Sequence, residues 1–544
     1  MTILLVFSKL YAINLEESLE ERLKASRTTA NSERLKNLVQ TLPKYKVSPN
    51  IQTKFVKEDK CINIERIDVI GISILPKYII NTITNPFVNK CLGKNNINNI
   101  IKLINNFYFQ YGFITTRTYL PKQKSSRGVL KLIVVEGKVN NLSSTDKNLY
   151  LNNLFSYKKG EYLNMRDIEQ GIDQINRLQS YQAKADIQPT NEVGYSNIVI
   201  KNNYKSNVNF RGGLDNSGSE NTGEILANMG VSINNITGMN DQLLVDLKSN
   251  LEPSIEDNLN RTISIAYDIP YLYYNFGVKL SETKSASIVN GNVIDFVLKN
   301  TNLNTEIYLK KNIYRDDSKK VLLNLSFNRK DKLSQINSSN IDNSTYKRDY
   351  LSIGVNLSGR TKQNSVFSLD FKIKQGLYTK VVFHDQFGRE TTQPINFPDE
   401  KFIIFNLGGS YNTNVINNKV NLKLELESQY SNENLFGGEL FQIGGASSVR
   451  GHKNKSLSGS KGVYVRSTIS FVDLSKHIPL NPLFYILYDA GHIFSDENFN
   501  GGTLGGKGIG VQLSLFKQNF SMEYAESDAY NHDSSFNVGF NFSF

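Results

Sequence analysis

From about residue 204 to the end of the chain, apolar and polar residues alternate. The segment KVNLKLELES (419–428) has valine and leucine at every second position, and GIGVQLSL (508–515) and SFNVGFNFSF (535–544) repeat the pattern. A period of two places successive side chains on opposite faces of a β-strand, so one face is apolar and the other is polar. We therefore predict an antiparallel β-domain over 204–544 with about sixteen strands, averaging about 21 residues per strand and turn.

The same pattern suits a soluble sandwich or a barrel in lipid, and the end of the chain separates the two. Its last strand carries a five-member apolar stripe that ends at Phe544. An exposed apolar edge of this kind invites aggregation in water, whereas a lipid-facing closing strand requires it. The sequence therefore predicts a transmembrane β-barrel.

The first 203 residues have a different character. Residues 1–12 contain a short apolar core and indicate a weak or truncated signal peptide, with a frayed terminus as the alternative. Leucines at helical spacing predict a helix over 13–42, and prolines in 43–60 indicate an extended linker. Mixed helical and strand patterns then predict two small α/β modules, 61–138 and 139–203.

Composition supports a chain rich in strands. Among 544 residues there are 30 Phe, 28 Tyr and 37 Gly but only 12 Pro and no Trp, so Tyr and Phe would form any interfacial girdle. After the first dozen residues no apolar run of about 18 residues occurs, which excludes a transmembrane helix. The net charge of +12 comes with no nucleic-acid-binding motif, so we expect no nucleic-acid partner.

No catalytic or metal-binding pattern is present. GGTLGGKG (501–508) resembles a phosphate-binding loop but lacks its final Ser or Thr, and we interpret it as a hairpin loop. No Ser-His-Asp order stands on a strand-turn-helix. The histidines lack metal-ligand spacing: His384, His452, His477, His492 and His532. We therefore expect no enzyme activity, no cofactor and no metal.

The chain has two cysteines, Cys61 and Cys91, both in the first module. An oxidising compartment would favour a disulfide between them, and the alternative is two buried thiols. A disulfide closing a loop of this length would stabilise the module by roughly 3 to 4 kcal/mol in the entropic model.

A long basic, glycine-rich insertion, FQIGGASSVRGHKNKSLSGSKG (441–462), interrupts two well-patterned strands and contains Arg450 and Gly451. Further along, LFYILYDAG (483–491) has one apolar face, and Asp489 lies on the other. If the apolar face meets lipid, Asp489 points into the barrel lumen, where it is the candidate partner for Arg450. The alternative is that the insertion is an exposed surface loop.

Several motifs together resemble one family. They are GFITTRTYLPKQ (112–123) and VVEGKV (134–139) in the first module, LNMRDIEQGIDQINRLQ (163–179) in the second, and LDNSGSENTG (214–223), GMNDQL (238–243), YDIP (267–270), ELFQIGGASSVRG (439–451) and YDAG (488–491) in the barrel. In these residues the chain is similar to the transporter partners of two-partner secretion, which are outer-membrane barrels related to the barrel-assembly factors.

The resemblance implies specific roles. The modules would be POTRA domains, and residues 432–461 would fold into the barrel with the tip Val449, Arg450 and Gly451. Asp489 would face Arg450, residues 13–42 would plug the pore, and Phe544 would be read by the barrel-assembly machinery. His452 departs from the family pattern, because Phe or Tyr usually follows the tip.

The resemblance also implies a function. The chain would lie in the bacterial outer membrane with its POTRA domains in the periplasm, contact outer-membrane lipid, and export a large, repeat-rich partner exoprotein. That exoprotein would be an adhesin, a haemolysin or a contact-dependent toxin. One alternative is a barrel-assembly factor of the same superfamily, and a passive porin, which needs no periplasmic modules, is another.

Overall fold

The computed structural model describes residues 55–543 apart from short internal segments, which are 124–127, 179, 204–205, 219–221, 252–258, 290–294, 317, 342–343, 362–364, 381–382, 385–389, 392–400, 454, 473–481, 516–517 and 529–532. The predicted signal peptide 1–12, the helix 13–42, most of the linker 43–60 and Phe544 lie outside the described residues. Within the described part of the chain, no helix is long and apolar enough to cross a membrane.

The first module packs a long helix on a three-stranded sheet. Its elements are β1 (Ile62–Ile64), β2 (Arg66–Ile70), α1 (Lys77–Thr84), a 3-10 turn (Asn85–Phe87), β3 (Lys90–Leu92), α2 (Lys94–Gln110), β4 (Arg117–Tyr119) and β5 (Val129–Val135). The sheet order is β2-β5-β4, with β2 parallel to β5, and β1 pairs with β3. Ile100, Ile104 and Tyr108 recur every fourth position on α2, so they share one face, which is buried against Leu130 and Leu132.

The two cysteines meet beside the β1–β3 pair. Their sulfur atoms lie 2.08 Å apart, and the Cα atoms of Cys61 and Cys91 are separated by 5.2 Å. This bond ties the start of the first module to the strand that precedes α2.

The second module has the same α/β character. Its elements are β6 (Lys138–Ser144), a 3-10 turn (Leu151–Asn153), α3 (Met165–Asn176), β7 (Ala183–Pro189) and β8 (Tyr195–Asn202), in the sheet order β6-β8-β7. Asn164 caps α3, because its side-chain oxygen accepts a hydrogen bond from the backbone N–H of Arg166 at 2.9 Å. Ile168 and Ile175 of α3 are fully buried in a core with Ile198 of β8.

Sixteen long antiparallel strands then close into a barrel. The strands after β8 are β9 (Val208–Asp215), β10 (Leu226–Asn234), β11 (Gln242–Asn250), β12 (Leu259–Tyr271), β13 (Tyr274–Val289), β14 (Phe296–Arg315), β15 (Lys319–Ile336), β16 (Ser339–Asn340), β17 (Tyr346–Arg360), β18 (Val366–Lys380), β19 (Phe383–His384), β20 (Glu390–Thr391), β21 (Ile403–Val415), β22 (Val420–Tyr430), β23 (Phe441–Ile443), β24 (Leu457–Gly459), β25 (Gly462–Phe471), β26 (Leu483–Ile493), β27 (Gly502–Leu515), β28 (Gln518–Ser527) and β29 (Ser534–Ser543).

Five of these strands are accessory. The two-residue β16 extends the hairpin between β15 and β17, while β19 pairs with β20 and β23 with β24 outside the main sheet. A mainly β fold with a closed barrel of sixteen long strands after two α/β modules confirms the predicted fold class.

The barrel closes where its last strand meets its first. Strand β29 pairs with β9 over five residue pairs, from Gly539 with Asp215 to Ser543 with Arg211. Next to this seam the side-chain oxygen of Asn216 accepts a hydrogen bond from the backbone N–H of Val538 at 2.7 Å.

The wall has an apolar outer face and a mostly polar inner face. On β26, Ile486 and Tyr488 are 43% and 57% exposed, whereas the adjacent Asp489 is fully buried. On β29 the exposed Phe536 alternates in the same way with the buried Ser535. Strand alternation therefore directs Asp489 into the lumen.

Candidate functional site

Residues 431–461, between β22 and β25, form a long loop that folds into the barrel. Val449, Arg450 and His452 at its tip are all buried. Arg450 contacts Asp489 of β26 and Glu523 of β28, and both of these carboxylates lie on the inward face of their strands. The loop tip therefore lies in the lumen against this part of the wall.

Arg450 and Asp489 form a bidentate ion pair. The guanidinium Nε lies 2.7 Å from Oδ2 of Asp489, and Nη2 lies 2.8 Å from Oδ1. The backbone N–H of Arg450 also donates to Oδ2 at 3.1 Å. Planar fork geometry of this kind matches a guanidinium to a carboxylate and fixes both the orientation of the side chain and its position.

A second carboxylate, not identified from the sequence, completes the site. Nη1 of Arg450 lies 3.1 Å from Oε2 of Glu523, and the hydroxyl of Tyr485 donates to the same oxygen at 3.1 Å. Nη2 also donates to the backbone oxygen of Ser467 at 3.3 Å. Alternation in NFSMEYAES could have indicated Glu523, because it lies opposite the lipid-facing Met522 and Tyr524.

Glycine in β27 allows the tip to approach the wall closely. A Cβ atom on Gly506 would lie 1.8 Å from the backbone oxygen of Arg450, closer than any side chain tolerates. The hairpin-loop interpretation of residues 501–508 is therefore wrong, because residues 502–508 lie within β27. The local glycine pattern suggested a turn, but it serves the packing of a distant loop.

The rest of the tip packs as follows. Val449 is fully buried in an apolar cluster with Ile443, Tyr464 and Leu504. Gly451 has a φ of 91°, a conformation that glycine adopts without strain. His452 stands where the resembled family usually has an aromatic residue.

The His452 ring takes part in a polar contact. Its Nε2 lies 2.9 Å from the backbone oxygen of Gly505, and this contact requires the Nε2–H tautomer, because a carbonyl oxygen only accepts. His452 therefore bonds the tip to β27, the strand that Arg450 approaches at Gly506.

A second set of contacts joins helix α3 to the barrel turns. The guanidinium of Arg177, just after α3, contacts the carboxylate of Asp268 in β12. On α3 itself, Asp173 contacts Arg315 at the end of β14, and Nζ of Lys320 in β15 lies 3.0 Å from its Oδ2. The motif YDIP was noted in the sequence, but its contact with Arg177 was not, because it joins residues of different domains.

Neutral contacts reinforce this docking. Nε2 of Gln174 donates to the backbone oxygen of Leu272 at 3.2 Å, in the turn between β12 and β13. Burial raises the pKa of the Asp167 carboxyl, which also accepts a hydrogen bond from the hydroxyl of Tyr273 in the same turn. The second module is therefore held against the barrel rim at several neighbouring turns.

Within the described residues, no cluster of three or more His, Cys, Asp or Glu side chains is arranged to hold a metal ion.

The chain matches known proteins over most of its length. The haemolysin secretion/activation protein family ShlB/FhaC/HecB matches residues 194–513, a ShlB-type POTRA domain matches 62–137, and a further POTRA domain matches 135–189. The outer membrane transporter CdiB of Dickeya dadantii is 26% identical over 79% of this chain and 76% of its own length. The hemolysin transporter protein HpmB of Proteus mirabilis is 25% identical over 90% of this chain and 86% of its own length.

Solved structures agree on the fold. CdiB from Escherichia coli superposes with a TM-score of 0.85 at 23% identity, covering 97% of this chain and 98% of that one. CdiB from Acinetobacter baumannii gives 0.78 at 21% identity, covering 97% and 99%. The family match spans more than half of the chain and confirms the resemblance seen in the motifs. This protein, an outer-membrane β-barrel with two POTRA domains on its periplasmic side, belongs to the haemolysin secretion/activation protein family ShlB/FhaC/HecB.

Proposed function

We propose that the protein exports a partner exoprotein, an adhesin, a haemolysin or a contact-dependent toxin, from the periplasm to the cell surface. The observation that carries this proposal is the loop tip held in the lumen by Arg450 and Asp489. An exporter needs a lumen that is closed until cargo arrives and domains that receive the cargo in the periplasm, whereas a passive pore needs no periplasmic modules. Relatives that are outer membrane transporters and a hemolysin transporter support the same function.

The POTRA domains capture the cargo through open sheet edges. Among the described residues, β2 lies at one edge of the sheet of the first domain and β7 at one edge of the sheet of the second. An unpaired edge offers backbone N–H and C=O groups to an extended polypeptide, which adds to the sheet as a further strand. Backbone pairing of this kind accepts many sequences, so it suits a long repetitive cargo.

The captured chain then passes through the barrel in extended form. The docking of α3 on the barrel turns keeps the second domain beside the mouth of the barrel. The loop must leave the route, so the contacts of Arg450 break during passage. With no nucleotide in the periplasm, folding of the cargo outside the cell drives export.

Other contacts of the protein follow from its position in the membrane. Outer-membrane lipid covers the exposed apolar face that includes Phe536 and Ile486. The barrel-assembly machinery reads the terminal Phe544, residues 13–42 plug the pore, and the Cys61–Cys91 disulfide stabilises the first domain. The protein acts without a cofactor or a nucleic-acid partner.

Export is preferred to the alternative of barrel assembly. Both functions use an outer-membrane barrel with POTRA domains, so the fold alone does not separate them. The relatives that cover most of this chain are transporters, and that favours export.

Site-specific photo-crosslinking tests the capture step. A photoreactive residue replaces Ile70 at the end of β2 or, as a control, Tyr78 on α1, and both positions are exposed, by 52% and 69%. The exoprotein of the adjacent reading frame is expressed in the same cells. We expect crosslinks from position 70 and not from position 78. Equal crosslinking would refute capture at this edge, and absence of the exoprotein from both the surface and the medium of wild-type cells would refute export itself.

A further inference from the structure

The first part of the folded-in loop after β22, residues 435–440, carries a buried carboxylate. We call this part the stem of the loop. Oε2 of Glu439, whose side chain is 3% exposed, lies 3.4 Å from Nζ of Lys374 on β18. Nζ of Lys330 on β15 donates to the backbone oxygen of Gly438 at 3.2 Å. Nε2 of Gln429 donates to the backbone oxygen of Glu439 at 2.7 Å. Polar groups from three barrel strands therefore converge on one short stretch of the loop.

An arginine joins the same stretch to the wall. The guanidinium carbon of Arg348, on β17, lies 3.9 Å from the ring centre of Phe402 and 4.4 Å from that of Phe436. Phe402 lies next to β21, whereas Phe436 belongs to the loop, and the rings of Tyr346 and Phe436 are 4.6 Å apart. The Arg348 cation is only 1% exposed and lies against rings of both segments, so this contact bridges the loop and the barrel wall.

Apolar packing fixes the stem on both sides of this stack. Leu435 and Leu440 of the loop are buried in a cluster with Phe402 and Ile404 of the wall. The stem therefore has its own core, separate from the cluster around Val449 at the tip.

The tip and the stem of the loop contact side chains of opposite charge on the barrel wall. At the tip a cation, Arg450, meets carboxylates on β26 and β28. At the stem an anion, Glu439, meets the lysine on β18, with the cations of β15 and β17 close by. A buried carboxylate is stable only when its charge is compensated, so Glu439 depends on these basic residues of the wall.

We infer that Glu439 is a positioning residue, the outer anchor of the loop, and that with Lys374 it keeps the stem seated independently of the Arg450 tip. Release of the loop then requires two separate contacts to break. This inference deepens the proposed function and rests on it, because a loop must be held in place before cargo displaces it.

Channel recordings of the full-length protein in planar bilayers test the anchor without cargo. Glu439→Gln keeps the shape of the side chain and removes its charge, and we expect the open-channel fraction to rise roughly tenfold, the population shift that follows loss of one charge-assisted hydrogen bond. Asp370→Asn is the control, since Asp370 lies on β18, the strand that carries Lys374, and accepts hydrogen bonds from Asn356 and Ser368 of the barrel instead of from the loop. The control should have the same open-channel fraction as the wild type.

Exchange of the two charges separates pairing from general loss of structure. Glu439→Lys should raise the open-channel fraction further, and adding Lys374→Glu should reverse part of this rise, because Lys330 and Arg348 remain beside position 439. Should Glu439→Gln fail to assemble, as judged by heat-modifiability on gels, Lys374→Gln carries the same expectation. The inference would be overturned if assembled Glu439→Gln had the open-channel fraction of the wild type. It would also be overturned if adding Lys374→Glu did not lower the open-channel fraction of Glu439→Lys. Failure of wild-type cells to secrete the exoprotein would instead count against the proposed function.

Discussion

Removing either member of the Arg450–Asp489 pair should impair secretion, but not equally. Arg450→Ala leaves two lumenal carboxylates, Asp489 and Glu523, without their shared cation. Asp489→Ala leaves Arg450 with Glu523 at 3.1 Å. The arginine variant should therefore secrete less, and removal of Asp489 in its background should restore part of the loss.

The magnitude follows from the hydrogen bonds that join the pair. Asp489 accepts three of them from Arg450, at 2.7, 2.8 and 3.1 Å. Hydrogen bonds to charged groups contribute about 1.5–3 kcal/mol each, and breaking a buried ion pair costs about 3–5 kcal/mol. Lumenal water brings the expected cost to the lower end, about 3 kcal/mol, which shifts the population of the released tip roughly a hundredfold.

The assay compares secreted exoprotein in the culture medium with the heat-modifiable barrel in the outer membrane, for both single variants and the double variant. Arg211→Ala is the matched control, because the Arg211–Asp246 pair of the wall is about 40% exposed and such pairs contribute about 0–1 kcal/mol. Additive loss in the double variant, at normal barrel levels, would show that Arg450 and Asp489 act separately and would refute the reasoning.

Three further predictions concern other contacts. Asp173→Lys should raise the rate of hydrogen exchange in α3 and the β14–β15 turn roughly tenfold, because it places a third cation beside Arg315 and Lys320. Unchanged protection would show that these charges do not hold the second domain against the barrel. Gly506→Ala should reduce secretion, whereas Gly408→Ala should not, because the nearest atom to a Cβ added at Gly408 lies 3.7 Å away. Equal secretion by the two variants would rule out the close approach of the tip. Deleting Phe544 should lower the amount of assembled barrel on gels, and normal amounts would contradict its role as an assembly signal.

Alternation was enough to predict the barrel and the direction of one key side chain. The apolar face containing Ile486 and Tyr488 belongs on the lipid side, so Asp489, which follows them on the opposite parity, faces the lumen. This works because burial in a sheet is decided by the parity of the position, which the sequence shows directly. The start of α3 at Asn164 was equally visible, because a helix start is a local event.

Apart from the Arg450–Asp489 pair, contacts between distant segments were beyond prediction from local patterns. In the sequence, Glu523 is one of many carboxylates on strands and Glu439 one of many in loops. Only the fold brings Arg450 beside Glu523 and Lys374 beside Glu439. Gly506 looked like part of a turn, because what excludes a side chain there is a backbone atom of another segment. The site depends on register across the barrel, and no single stretch of the sequence shows that register.

The short seam between β29 and β9 has a consequence for biogenesis. Asn216 and Val538, which are hydrogen-bonded beside it, stand 322 residues apart along the chain. Pairing over so large a separation carries a high entropy cost of loop closure, so the ring must be joined late, after the neighbouring hairpins have formed. Until then the chain has two unsatisfied strand edges that would pair with any other nascent sheet. Because the described part of the seam joins five residue pairs, a working barrel requires these edges to be protected until closure as well as correct formation of the hairpins.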